Sequence, residues 1–136
     1  MKAVVIEKYG SADELHLVDI PMPAMKPNNL LIRNIAASVN PYDWMARNGS
    51  MKMLEGRKFP KILGCECAGT VEEVGSEVKG FKKGDSVIVF MGRNGAYSEF
   101  VSVTEAKVTP LPAGVSFSHG ASLPIAGTSA YDVLHK

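Results

Sequence analysis

The sequence predicts a mainly β domain, a barrel or sandwich of short strands, that gives way to helix near its end. Three observations carry this. From residue 1 to about 112 the chain is a series of short apolar runs cut by turn residues. Few of these runs alternate cleanly, as expected for a barrel whose strands meet a core on one face and a partner on the other. After Pro112 the texture changes, and residues 118–135 are rich in Ala, Leu and Ser with only Pro124 and Gly127 interrupting.

The elements follow in order. Ala3 to Ile6 is a continuous apolar strand, and Leu15 to Val18 is a second, ended by Pro21-Met22-Pro23. Pro27-Asn28-Asn29 opens a third, Leu30 to Ala37, with Leu31, Arg33, Ile35 and Ala37 on one face and Leu30, Ile32, Asn34 and Ala36 on the other. Asn40-Pro41 starts a helix of about two turns: Asn caps the first free amides, Pro suits the first helical position, and Gly49 closes it after Asn48. Lys61 to Val74 is a long β run in which Gly64 and Gly69 allow a bend or the close approach of another backbone. Glycines at 75, 80 and 84 mark a loop before the strand Ser86 to Phe90. Ala96 to Val103 and Lys107 to Leu111 read as the last strands. Ser116 and Ser118 are N-cap candidates for two helical pieces that run to the end.

Composition narrows the function classes. A length of 136 residues suits one domain and leaves no room for a second of full size. Fifteen Lys and Arg against 14 Asp and Glu give a net charge of +1, without the basic stripe that nucleic acid or an anionic membrane requires. Lys79, Lys82 and Lys83 form the one basic cluster and alternate with turn residues. No signal-like leader and no apolar stretch near the roughly 20 residues of a membrane span is present, so the cytoplasm is the expected compartment. Cys65-x-Cys67 is too close for an ordinary disulfide and agrees with a reducing environment.

Several chemistries lack their signatures. No Gly-x-Gly-x-x-Gly follows a strand, and the near misses at Gly64 to Gly69 and Gly75 to Gly80 lack the Lys-Ser/Thr of a phosphate loop. A serine nucleophile elbow and an HExxH helix are also missing. What remains is a short set of candidates. Cys65 and Cys67, on one face of a strand, are either two ligands of an incomplete metal site or two small buried hydrophobes. Glu66, a carboxylate in an apolar strand, is either paired in the interior or lines a cleft. Asn40-Pro41-Tyr42-Asp43-Trp44 joins a cap, two aromatics and a carboxylate, which serves either a helix N-terminus or a site.

At these residues the chain resembles a known family. The opening MKAVVIEKYG, Ala36 to Asp43, Pro60 to Gly69, Val74-Gly75 through Val87, Gly95 to Phe100 and Leu123-Pro124 through Tyr131 occur in the order and spacing of the N-terminal, GroES-like half of the medium-chain dehydrogenase/reductase superfamily. The likeness is to its zinc-independent quinone oxidoreductase branch and spans essentially the whole chain. It implies a partly open GroES-like β-barrel over residues 1–115 and a helical linker over 116–136, directed towards a Rossmann domain outside this sequence.

The zinc alcohol dehydrogenases of the superfamily have a ligating cysteine at the position of Asn40 and a histidine at that of Cys65. Their structural-zinc lobe has no counterpart in Phe90 to Gly95. The resemblance therefore implies no metal. It assigns Asn40 and Thr128 to cofactor contact and Tyr42, Asp43, Cys65 and Glu66 to the wall of the active-site cleft, none of them as a defined acid or base. The implied chemistry is hydride transfer from NADPH, or NADH, to a quinone, enone or related carbonyl, in which the protein supplies orientation and hydrogen bonds. Read this way the chain is the catalytic-domain fragment of an oxidoreductase, inactive alone, with apolar surface exposed where the remainder docks and homo-oligomers through that surface to be tested. The alternatives are a zinc-dependent alcohol dehydrogenase fragment and a free-standing GroES-like binding module.

Overall fold

In the computed structural model, residues 1–135 are described. The first strand, β1 (Lys2–Ile6), lies between β2 (His16–Asp19) and β4 (Lys61–Ile62) in a small antiparallel sheet. The larger sheet has the order β7-β3-β5-β6-β8, built from β3 (Asn29–Ala37), β5 (Glu66–Val74), β6 (Ser86–Phe90), β7 (Phe100–Thr104) and β8 (Val108–Pro110). Its pairings are all antiparallel. Among the described residues there is no parallel, doubly wound sheet.

Two helices lie between β3 and β4: α1 (Pro41–Asn48) and the single turn α2 (Lys52–Glu55). Two more follow β8: α3 (Phe117–Ala121) and α4 (Pro124–Leu134). The helix predicted from Asn40, Pro41 and Gly49 forms with those caps, and α2 was not foreseen. Ser116, whose Oγ accepts from the His119 amide, caps α3; Ser118 lies inside that helix.

The predicted strand Ala96 to Val103 has two parts. Phe100–Thr104 joins the large sheet, while the stretch before it stitches the two sheets together. Val4 donates to the Tyr97 carbonyl at 2.8 Å, and Asn34 donates to the Glu99 carbonyl at 2.8 Å. This seam closes the barrel. Its core is formed by Leu30, Ile32, Cys67, Val71, Val87, Val89, Val101 and Val103, the inward residues of four strands. Along β3 the expected alternation holds from Ile32 onward, with Arg33, Ile35 and Ala37 outside; Leu31 is also buried.

The uneven alternation has a visible cause in α3. Its Gly120 sits so close to the outer face of the sheet that a Cβ there would lie 2.5 Å from Leu111, 3.2 Å from Ile88 and 3.5 Å from Ala68. β5 and β6 are thus covered on both faces, inside by the core and outside by α3. A second cluster of Ile6, Ala46 and Leu63, flanked by Tyr9, Tyr42, Phe59 and Tyr97, seats α1 against the small sheet.

The long run Lys61 to Val74 is divided rather than continuous. Gly64 adopts φ +97°, and a Cβ there would meet the Tyr97 ring at 2.6 Å, so the chain turns between β4 and β5 at a residue without a side chain. The turn moves Cys65 out of the strand. Cys67 enters the barrel core while Cys65 faces α1, so the two thiols do not share a setting.

Candidate functional site

The end of β3, the start of α1, the start of β5 and the first turn of α4 converge on one polar cluster. Asn40 leaves β3 in an extended conformation and caps α1, and its backbone N–H donates to Asp43 Oδ2 at 2.7 Å. The Asn40 carboxamide nitrogen turns the other way, donating to Glu66 Oε1 at 2.8 Å and to Ser38 Oγ at 3.0 Å. The Ser38 hydroxyl donates to the same Glu66 oxygen. Glu66 Oε2 accepts the backbone N–H of Ile125 at 2.7 Å. Glu66 is only 1% exposed, so it is paired in the interior, by neutral donors with no cation among its hydrogen-bond partners.

Asp43 is buried beside it and uses both oxygens. Oδ2 takes the Asn40 amide, and Oδ1 takes the Cys65 thiol at 3.3 Å, with the Arg93 carbonyl also 3.1 Å from the sulfur. Burial first, then the Asp43 charge and its hydrogen bond, push Cys65 from 9.0 up to about 12. Cys67, buried in the core, is likewise pushed up to about 12, by desolvation first and by Glu66 second. Neither thiol is a thiolate nucleophile at neutral pH.

Tyr42 points its hydroxyl at Glu55 of α2, and burial followed by that contact raises it to about 12. Glu55 also accepts from Asn94 Nδ2 at 2.5 Å, and Arg93 Nη1 donates to the Leu54 carbonyl at 3.0 Å. These bonds tie α2 to the loop that crosses from β6 towards the seam. Tyr97, packed beside this cluster, is raised by burial and then by Asp43.

Asn40, Asp43, Cys65 and Glu66 are therefore one connected network, and Tyr42 belongs to an adjoining one. Thr128 stands apart. It is exposed on α4, its hydroxyl donates back to the carbonyls of Pro124 and Ile125, and it lines an apolar groove of about 490 Å3 with Ile88, Phe90, Leu123 and Tyr131. The other candidates do not line that groove; Glu66 links them to α4 through the Ile125 amide. Ser38, Glu55, Asn94 and the Ile125 amide are the members that sequence reasoning missed. Ser38, two residues before Asn40, carried a legible signal, whereas a backbone N–H carries none.

Among the described residues no three His, Cys, Asp or Glu side chains gather in a group able to hold a metal. Among the described residues no glycine-rich strand-to-helix turn is present to receive a pyrophosphate.

Comparison with known proteins agrees with this fold. Residues 26–113 match the family model of the alcohol dehydrogenase GroES-like domain. The quinone-oxidoreductase homolog of Spinacia oleracea chloroplasts is 36% identical over 98% of this chain, which spans 42% of that protein. The 2-methylene-furan-3-one reductase of Solanum lycopersicum is 36% identical over the full chain, which spans 37% of it. The crystal structure of Escherichia coli quinone oxidoreductase complexed with NADPH superposes on the whole chain with a TM-score of 0.91 at 31% identity, and 41% of that structure is covered. The chain thus spans about two fifths of the length of these relatives, and it belongs to the alcohol dehydrogenase GroES-like domain family of the medium-chain dehydrogenase/reductase superfamily, alongside its quinone oxidoreductases.

Proposed function

We propose that this chain is the substrate-side domain of an NADPH-dependent, zinc-independent reductase that transfers hydride to a quinone, an enone or a related carbonyl. The superposition of the entire chain on a quinone oxidoreductase complexed with NADPH carries this reading. The tomato relative, named for an enone, supports the substrate class.

When bound, NADPH supplies the hydride; the chain's own groups bind and orient. Asn40, fixed by Glu66 and Ser38, and Thr128, at the edge of the α4 groove, are the residues we assign to the cofactor. Tyr42, Asp43, Cys65 and Glu66 form the cleft wall. With Tyr42 and Cys65 pushed up to about 12, neither acts as a base at neutral pH. Their hydrogens are held by Glu55 and Asp43, so this wall holds shape and excludes water rather than relaying protons.

The reading also accounts for α4. None of its residues is buried, and Tyr131, Val133 and Leu134 are 62%, 80% and 79% exposed. In the proposed enzyme, residues 116–136 lead to a dinucleotide-binding domain that covers this face. The cytoplasm is the proposed compartment. No helix among the described residues is long and apolar enough to cross a membrane, and the spinach relative is named as chloroplastic.

The test is a titration with NADPH followed by cofactor fluorescence. The 136-residue chain by itself is expected to show no binding in the micromolar range and no turnover, because the pyrophosphate site lies in the other domain. The protein extended to the length of its relatives is expected to bind. Micromolar affinity of the chain by itself would contradict the assignment.

A further inference from the structure

Glu66 joins parts of the chain that are distant in sequence. One oxygen holds the Ser38 hydroxyl and the Asn40 carboxamide; the other holds the amide of Ile125, 59 residues away. The Ile125 N–H and the Asn40 carboxamide nitrogen donate, and the Ser38 hydroxyl, which accepts from Asn40, donates to Glu66 in turn, so both oxygens accept. The Ile125 N–H is one of the amides in the first turn of α4 that have no partner within the helix, a place where negative charge is favoured. α4 rests against β6, and none of its residues is buried.

We propose that Glu66 is a positioning residue: it clamps the N-terminus of α4 to the Asn40 cap, so that Asn40 and Thr128, one turn into α4, keep a fixed relation. The role of those two residues towards a cofactor rests on the function proposed above. The clamp itself does not. Its chemistry favours a carboxylate over an amide, because a glutamine would turn its NH2 either against the Ile125 N–H, which can only donate, or towards Ser38 and Asn40, which could receive it only by reversing the hydrogen bonds they now make.

Amide hydrogen exchange by NMR on the 15N-labelled 136-residue chain tests the clamp without any ligand, so failure of the proposed function leaves its outcome untouched. In Glu66→Gln, the Asn40 carboxamide and the Ile125 amide are expected to exchange together on the order of tenfold faster. The first-turn amides of α4 follow, and Val71 and Val89 in the barrel keep their rates. Ser38→Ala should speed the Asn40 carboxamide while leaving Ile125 protected. Uniform acceleration across the barrel, or an α4 that does not respond to Glu66→Gln, would overturn the proposal. Should that variant not fold, Ile125→Pro removes the donor at a helical position that tolerates proline. The clamp then requires the Asn40 carboxamide resonance to shift, and an unchanged resonance refutes it.

Discussion

Gly69→Ala is expected to remove a large share of the stability of the domain. Gly69 lies in the middle of β5, opposite Asn34 of β3 on one side and Val87 of β6 on the other. A Cβ at this position would stand 2.0 Å from the Arg33 carbonyl oxygen and 2.9 Å from its carbon. These are backbone atoms, so no rotamer change relieves the clash; β3 itself must move, next to the irregularity already present between Asn34 and Ala36. A cost of about 3 kcal/mol or more is expected, against a total of roughly 5–15 kcal/mol for a domain of this kind. Urea denaturation should show a collapsed midpoint or an insoluble protein. A midpoint within error of the wild type would mean that β3 and β5 do not approach as described.

Asp43→Ala carries the second large effect and acts on the site. It removes the acceptor of the Asn40 amide and one of the two acceptors of the buried Cys65 thiol, leaving the amide without a partner and the thiol with the Arg93 carbonyl alone. About 2–4 kcal/mol should be lost. A second readout localises the damage. In the native protein iodoacetamide at pH 8 should label neither thiol, since both are buried and raised to about 12; in Asp43→Ala, Cys65 should label well before Cys67.

The same thiols, together with the raised Tyr42 and Tyr97 hydroxyls, are expected to weaken the fold at alkaline pH. Each thiol stays neutral in the folded chain while its unfolded counterpart ionises near pH 9, so the unfolded state binds fewer protons above that pH. Their stabilising contribution is complete below about pH 9 and is lost as pH rises towards 12. A denaturation midpoint that holds or rises over this window would contradict the burial of both groups.

Much of this fold is legible in the sequence because its punctuation is local. β3 and α1 are bounded by Asn28-Asn29, Asn40-Pro41 and Gly49, residues whose own backbone preferences decide where an element starts and stops. What is not legible depends on distant partners. The bend that Gly64 allows is legible, but not the Tyr97 ring packed against it, and the conversion of Ala96 to Glu99 from strand to seam depends on β1 and β3 arriving on either side. α2, a single turn, is too short to show a helical period.

The site divides in the same way. Asn40, Asp43, Cys65 and Glu66 are chemically conspicuous, and they do meet. Alternation along a strand placed Cys65 beside Cys67, and the glycine turn separated them. That Glu66 reaches α4 is invisible beforehand, because the partner is the main chain of Ile125.

As proposed, these residues form the substrate side of a hydride-transfer enzyme without zinc. The most direct measurement follows deuterium from 4-deuterated NADPH to a simple quinone or enone, with the protein at the length of its relatives and a zinc chelator present. The account predicts stereospecific transfer that the chelator leaves unchanged. Failure to transfer deuterium, or activity that the chelator abolishes and stoichiometric zinc restores, would contradict it.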